Sequence, residues 1–358
     1  MSTIPQTILS DTKMHTSRLI ANNAQSLGTN KCGFGCRHVV RESNNTTFWA
    51  LLVTTSGNIE VYNSTDSGQT WTLSTTFTPG TGQTLGYPTI CKAITTDHIF
   101  VSYTAKNSSL SWNVYVQKYN GSSWSEVTPS SWGPWTPYDS ANDIVTSAIT
   151  FNRGSTGRFH IFIAYRCSTS SFSYIINKYS DDEGSTWSSE GSTSATCSTT
   201  LCISDIDTKS DGTVVVCTTS NTAVKLTRFT ANGVYSSNTS YSPNGNASGS
   251  MAIDSSNNER VVYYATNGVS WSIWYGATPT LVATIQEGHL ALGIDGADNI
   301  YVIYTKSSDL KTYMCKYNIV GGSWDSARLI SYDQGQRVKV EQHSPASASK
   351  LHYVFFSD

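Results

Sequence analysis

Residues 90–104 read Ile90-Cys-Lys-Ala-Ile-Thr-Thr-Asp97-His-Ile-Phe-Val-Ser-Tyr-Thr104. Two apolar, β-branched runs flank a polar centre that ends in Thr-Asp, the pattern of two strands joined by a tight turn. The second run shows no clean alternation of apolar and polar residues. A strand that is apolar on both faces is covered on both faces, so it belongs between stacked sheets rather than at a solvent surface.

The unit recurs along the chain. Its second strand aligns at Phe48–Thr54, Ile99–Thr104, Phe159–Arg166, Thr213–Thr219, Arg260–Thr266, Ile300–Thr305 and Leu351–Ser357. The partner strands precede them at His38–Arg41, Ile90–Thr95, Ser147–Phe151, Ile203–Thr208, Ser250–Asp254, Leu290–Ile294 and Arg337–Glu341. Steps of about 50 residues suit a four-stranded propeller blade. The sequence therefore predicts an all-β, seven-bladed β-propeller in one domain spanning 1–358. Its blades would cover approximately 32–85, 86–137, 138–200, 201–247, 248–286, 287–334 and 335–358. The last blade lacks outer strands, so residues 1–31 are expected to close it, with Gln6–Leu9 and Ser17–Ala21 as candidates. Closure of this kind removes an exposed sheet edge.

A second landmark follows the second strand: a third strand, a turn and a Trp, as in Tyr119-Asn-Gly-Ser-Ser-Trp124 and Tyr317-Asn-Ile-Val-Gly-Gly-Ser-Trp324. Two copies are fuller. Ser64-Thr-Asp66-Ser-Gly68-Gln-Thr70-Trp71 and Ser180-Asp-Asp182-Glu-Gly184-Ser-Thr186-Trp187 both fit Ser-x-Asp-x-Gly-x-Thr-Trp. This resembles the Asp box of the sialidase-like, BNR-repeat propeller superfamily. The chemistry favours a structural part for it: the carboxylate accepts N–H groups within the turn, Gly permits positive φ, and the Trp packs between blades.

The resemblance implies a sialidase only if the catalytic residues travel with the fold. Such enzymes hold a substrate carboxylate with three arginines and use a Tyr–Glu pair and an Asp acid/base. The opening blade offers Cys36-Arg37-His38-Val39, no Arg-Ile-Pro occurs, and the chain has only ten arginines, of which Arg166 and Arg260 flank inner strands. Another glycan-active hydrolase or lyase would need paired carboxylates facing the axis. Candidates are Glu42, Asp143, Asp205, Asp207, Asp254, Glu287, Asp295 and Glu341. Asp205, Asp207, Asp254 and Asp295 recur at similar places in their units, as structural turn acids do. No catalytic residue is assigned.

Composition bounds the partners. Only 13% of the 358 residues are Asp, Glu, Lys or Arg, about half the usual share, and Ser, Thr, Asn, Gly and Tyr take their place. The net charge is -2 and no basic run stands out, which argues against nucleic acid. No apolar run is long enough for a membrane span, and Met1–Asp11 shows no secretory pattern. The cysteines, Cys32, Cys36, Cys91, Cys167, Cys197, Cys202, Cys217 and Cys315, have no zinc-ribbon spacing. They read as buried thiols, with a local disulfide open for Cys32–Cys36 or Cys197–Cys202. No metal or cofactor is expected.

Aromatic rings stack on sugar rings, which makes the Pro-stiffened stretch Trp132-Gly-Pro-Trp135-Thr-Pro-Tyr138 and Trp112 the candidate carbohydrate-binding residues. The competing reading puts these rings in blade interfaces. A low-charge surface without a secretory leader fits a virion surface or tail-associated propeller, a structural platform whose partners are other virion proteins or host-surface glycans. A propeller lectin outside a viral setting, extracellular or cytoplasmic, is the alternative.

Overall fold

Strands form where β-branched and aromatic residues cluster and stop at turns rich in Asn, Asp, Ser and Gly. A computed structural model describes residues 6–8, 37–130, 132–136, 145–154, 157–166, 173–195, 202–220, 223–241, 248–266, 271–275, 280–306, 311–331, 335–340 and 352–357. A short N-terminal strand, β1 (Gln6–Ile8), comes first. The first four-stranded sheet holds β2 (Val39–Arg41), β3 (Phe48–Val53), β4 (Ile59–Ser64) and β5 (Thr72–Phe77). The second holds β6 (Thr84–Lys92), β7 (Ile99–Lys106), β8 (Trp112–Tyr119) and β9 (Trp124–Glu126). The third contains β10 (Thr146–Phe151), β11 (Phe159–Arg166), β12 (Ser173–Ser180) and β13 (Gly191–Ala195). The fourth contains β14 (Cys202–Thr208), β15 (Val214–Thr219), β16 (Val224–Phe229) and β17 (Tyr235–Tyr241). All four are antiparallel meanders.

The next sheet departs from the pattern. It runs β18 (Ser248–Ile253), β19 (Glu259–Thr266), β20 (Trp271–Tyr275), β21 (Thr280–Ile294), β22 (Ile300–Lys306), β23 (Thr312–Asn318) and β24 (Ser323–Trp324), with β25 (Arg328–Ser331) also on β23. A last sheet of three strands has the order β1, β27 (His352–Ser357), β26 (Gly335–Val340).

The arrangement is an all-β propeller. Strand β2 neighbours β6, β6 neighbours β10, and the succession continues through β14, β18, β21 and β26, while β27 lies against β2. The expectation of seven blades is corrected. Five sheets of blade size form among the described residues, one of them eight-stranded, together with the three-stranded sheet. The physical reason is β21. Its fifteen residues run without interruption from pairing with β20 at Thr280–Ile285 into pairing with β22 at Leu290–Ile294, which welds two repeat units into one sheet. The sequence-based blade boundary between 286 and 287 falls inside this strand. At the other end β1 pairs with β27, Gln6 opposite Val354, but no fourth strand joins them among the described residues, and the other proposed closing strand, Ser17–Ala21, lies outside those residues.

The core sits between sheets. Phe100, Phe151, Phe159 and Trp112 pack between the second and third, while Phe162, Ile206 and Phe229 pack between the third and fourth. Strands β3, β10, β14 and β15 are buried along their whole length, as strands flanked on both faces must be. Inner strands are sheet edges, and their outward N–H groups need acceptors once buried. Polar side chains of the preceding inner strand supply them. Ile203 N donates to Thr146 Oγ1 at 2.9 Å, Met251 N to Asp205 Oδ2 at 3.1 Å, Ile253 N to Asp207 Oδ2 at 2.8 Å and Leu292 N to Ser250 Oγ at 3.1 Å.

The turns between first and second strands are linked in the same way. Asp97, Asn257 and Asp298 all have positive φ, 56°, 65° and 62°. Each side chain accepts the N–H of a serine in the turn before it: Ser43 at 3.0 Å, Ser210 at 2.7 Å and Ser255 at 2.9 Å. Asn and Asp tolerate this left-handed conformation better than other non-glycine residues.

Candidate functional site

The two Ser-x-Asp-x-Gly-x-Thr-Trp turns have one geometry. Asp66 Oδ1 accepts the Ser64 hydroxyl at 2.7 Å and the Gln69 and Thr70 N–H groups at 2.9 Å each, while Oδ2 accepts the Thr70 hydroxyl at 2.6 Å. Asp182 repeats this with the Ser180 hydroxyl at 2.8 Å, Thr186 N at 2.7 Å and the Thr186 hydroxyl at 2.6 Å. Ser64 and Ser180 in turn accept the N–H of Gly68 and Gly184 at 2.8 and 2.7 Å. These donors, the Thr70 and Thr186 hydroxyls foremost, hold both carboxyls below the usual range. Gly184 has φ of +92°, and a Cβ there would lie 2.8 Å from that of Val127, so the turn seats directly on the second sheet.

The Trp residues tie sheet to sheet. Trp187 Nε1 donates to Val127 O at 3.0 Å, and Trp124 Nε1 donates to Ser74 Oγ at 3.1 Å. Trp71 closes its own turn by donating to Gly68 O at 3.2 Å. All ten motif residues are thus placed by the turn and its neighbour.

The proposed carbohydrate-binding aromatics are placed differently from an open stacking platform. Trp112, Trp132 and Trp135 are 5, 6 and 8% exposed and belong to the core cluster between the second and third sheets. Trp132 and Trp135 meet edge to face at 5.5 Å, and the backbones of Trp112 and Trp135 exchange two hydrogen bonds of 2.8 Å. Tyr138 lies outside the described residues.

Beside this junction is a cleft of about 480 Å³ between the outer edge of the second sheet and the third. Glu126, Thr128 and Ser130 line one side, and Lys178, Ser185 and Trp187 the other. The Lys178 ammonium lies 5.9 Å from the centre of the Trp132 ring, whose Nε1 donates to Glu190 Oε2 at 2.6 Å. The next residue of the motif turn, Glu183, anchors the wall. Its carboxylate takes Lys118 Nζ at 2.6 Å, His98 Nδ1 at 2.7 Å and the Thr96 hydroxyl at 2.7 Å. These contacts outweigh burial and hold the Glu183 carboxyl below its ordinary value.

The axis is polar but committed. Arg37, two residues before β2, reaches across to β14, where it donates to Ile206 O and lies 3.6 Å from Asp207 Oδ1. Arg153 approaches Asp207 Oδ2 at 3.3 Å from the other side. Asp205 accepts Ser250 Oγ at 2.8 Å. Asp254 and Asp295 are turn acids, each accepting two N–H groups of its own turn at 2.8–3.0 Å. Arg260 pairs with Asp254 at 2.7 Å, and Glu42 accepts Trp49 Nε1 at 2.8 Å. Asp143 and Glu341 lie outside the described residues, as do the side chains of Arg166 and Glu287.

Sequence reasoning missed Lys178 and the reach of Arg37. Lys178 had a findable signal, lying two residues before the Ser180 motif on the strand that feeds it. Arg37 had none, because its partner is 169 residues away. Cys91, Cys217 and Cys315 are buried free thiols, and burial pushes the first two up to about 12. Cys32, Cys36, Cys167 and Cys197 lie outside the described residues. Among the described residues no group of three or more His, Cys, Asp or Glu could hold a metal ion, and no helix is long and apolar enough to cross a membrane.

No family model matches this chain, and no curated protein does. Solved structures do. The α-L-arabinofuranosidase Arb93A from Fusarium graminearum, in complex with an iminosugar inhibitor, aligns with TM-score 0.53 at 10% identity over 93% of this chain and 95% of that one. The SapL1 lectin in complex with α-methyl fucoside aligns with TM-score 0.51 at 12% identity over 84% and 96%. A protein of unknown function from Dyadobacter fermentans aligns with TM-score 0.50 at 12% identity over 92% and 96%. At these identities the likeness is one of fold, and the fold it supports is the β-propeller.

Proposed function

We propose that this chain is a non-enzymatic, carbohydrate-binding surface propeller, carried on a virus particle as a surface or tail-associated platform that contacts host glycans. The observation that carries the binding reading is the cleft between the second and third sheets. Its lining of Thr128, Ser130 and Ser185 hydroxyls, one half-buried indole and one ammonium matches what a sugar presents: hydroxyls to bond, and a weakly apolar ring face to cover. A lectin in complex with α-methyl fucoside is among the structures of like fold, and the low surface charge suits a neutral ligand. The virion setting is supported by composition: a chain poor in charge and rich in Ser, Thr and Asn suits lasting exposure outside a cell.

A glycan array with the full chain tests the binding reading, followed by titration of whatever it captures. Lys178→Ala is expected to weaken capture by about tenfold, or ~1.4 kcal/mol. Silence on the array, or an unchanged affinity in the variant, removes the cleft as the site. Mass spectrometry of purified particles that encode the chain tests the virion setting, and its absence from them ends that part.

A further inference from the structure

The outer turn of the second sheet, Tyr119-Asn120-Gly121-Ser122-Ser123-Trp124, stands where the third sheet carries Ser180–Trp187. Asn120 takes the part of the motif aspartate. Its Oδ1 accepts Ser122 N at 3.0 Å, the Ser122 hydroxyl at 2.8 Å and Ser123 N at 2.9 Å, much as Asp182 Oδ1 gathers donors in its own turn.

Asn-Gly is the dipeptide in which a backbone amide most readily attacks the side chain before it, since glycine offers no side chain to hinder the approach. Two such pairs lie among the described residues, and the fold treats them oppositely. At Gly233 the N–H donates to Thr230 O at 2.9 Å, and Asn232 Oδ1 is held by Arg158 Nη1 at 2.6 Å. A Cβ on Gly233 would fall 2.1 Å from Asn177 Oδ1, so the backbone there is packed in place. At Gly121, with φ of +94°, a Cβ would meet nothing within 4 Å, and among the described residues nothing accepts its N–H. Both asparagine Oδ1 atoms accept donors that draw electron density from Cγ, so the difference between the two positions lies in the glycine N–H and its packing.

We propose that Asn120 is a site of spontaneous conversion to aspartate, and that its turn is built to receive the product. The Gly121 nitrogen gives its proton to solvent hydroxide and bonds to Asn120 Cγ. The bond from Cγ to the amide nitrogen breaks, and that nitrogen leaves as ammonia after taking a proton from water. Water then opens the five-membered imide. Opening at Cγ restores the normal backbone with a carboxylate in place of the amide, whereas opening at the backbone carbonyl gives the isoaspartyl isomer. The carboxylate keeps all three donors and strengthens them by its charge, which reproduces the aspartate of the other two turns.

The test is incubation of the folded chain in mildly alkaline, heavy-oxygen water, followed by peptide mass spectrometry at both positions. Position 120 is expected to take up heavy oxygen several-fold faster than position 232 in the folded chain, and at a comparable rate in urea. Equal rates in the folded chain, or no uptake at position 120, overturn the proposal. Asn120→Asp is expected to melt at or above the temperature of the parent chain. A lower melting temperature would show that the turn rejects the product.

Discussion

At the residue scale the clearest consequence of burial falls on His160. The imidazole is fully buried beside Phe162 and Tyr179. Desolvation, with a smaller push from Arg158, lowers it from 6.5 to about 3. A histidine depressed on folding binds protons first in the unfolded chain, so stability falls as pH drops below the unfolded value and the loss ends near the folded one. Between about pH 6.5 and 3 this group removes roughly 1.4 kcal/mol per pH unit. His160→Phe should flatten the decline of urea-denaturation stability across that window. Parallel curves for parent and variant would mean that other groups carry the acid sensitivity. The motif turns were fully legible at this scale, because Asp66 and Asp182 act within five residues of their partners. The aromatics were not. A Trp next to Gly and Pro looks like a loop residue wherever its ring ends up, and only packing decides that Trp132 and Trp135 are buried.

At the scale of elements, the strands were read closely from their apolar runs: β7, β10 and β15 begin or end within two residues of expectation. The acids of inner strands were read less well. Similar positions suggested one role for Asp205, Asp207, Asp254 and Asp295, yet the first two lie on β14 and serve the N–H groups of β18, while the others fold their own turns. Sequence period cannot separate these, since the partners of the first pair are more than 40 residues away. Asp207 is the most exacting of the four, 3% exposed at its side chain and set between two guanidiniums. Asp207→Ala removes the counter-charge of Arg37 and Arg153 and the acceptor of the Ile253 N–H together, and should destabilise the chain by about 3–5 kcal/mol. Asp207→Asn should cost less, because its oxygen can still accept Ile253 N. Equal losses in thermal unfolding would show that charge rather than acceptance holds this junction.

At the scale of the whole molecule, repeat spacing led correctly to a propeller but could not count its sheets. The spacing is blind to whether a chain turns or continues at a unit boundary, and at Gln286–His289 it continues. The pairing of β1 with β27 joins distant parts of the chain. Deleting residues 1–25 should bare the edge of β27, lower the melting temperature and speed amide exchange in β26 and β27 before other strands. Exchange unchanged in those two strands would show that β1 contributes little to holding them. Strand β21 bears on how such a protein can be rearranged. Where blade-sized units are separated by loops, recombination can add, drop or swap a unit without cutting a strand. Between Thr280 and Ile294 any such crossover severs hydrogen-bonded backbone, so an exchange that is to keep the fold must move the two units that share this strand as one piece.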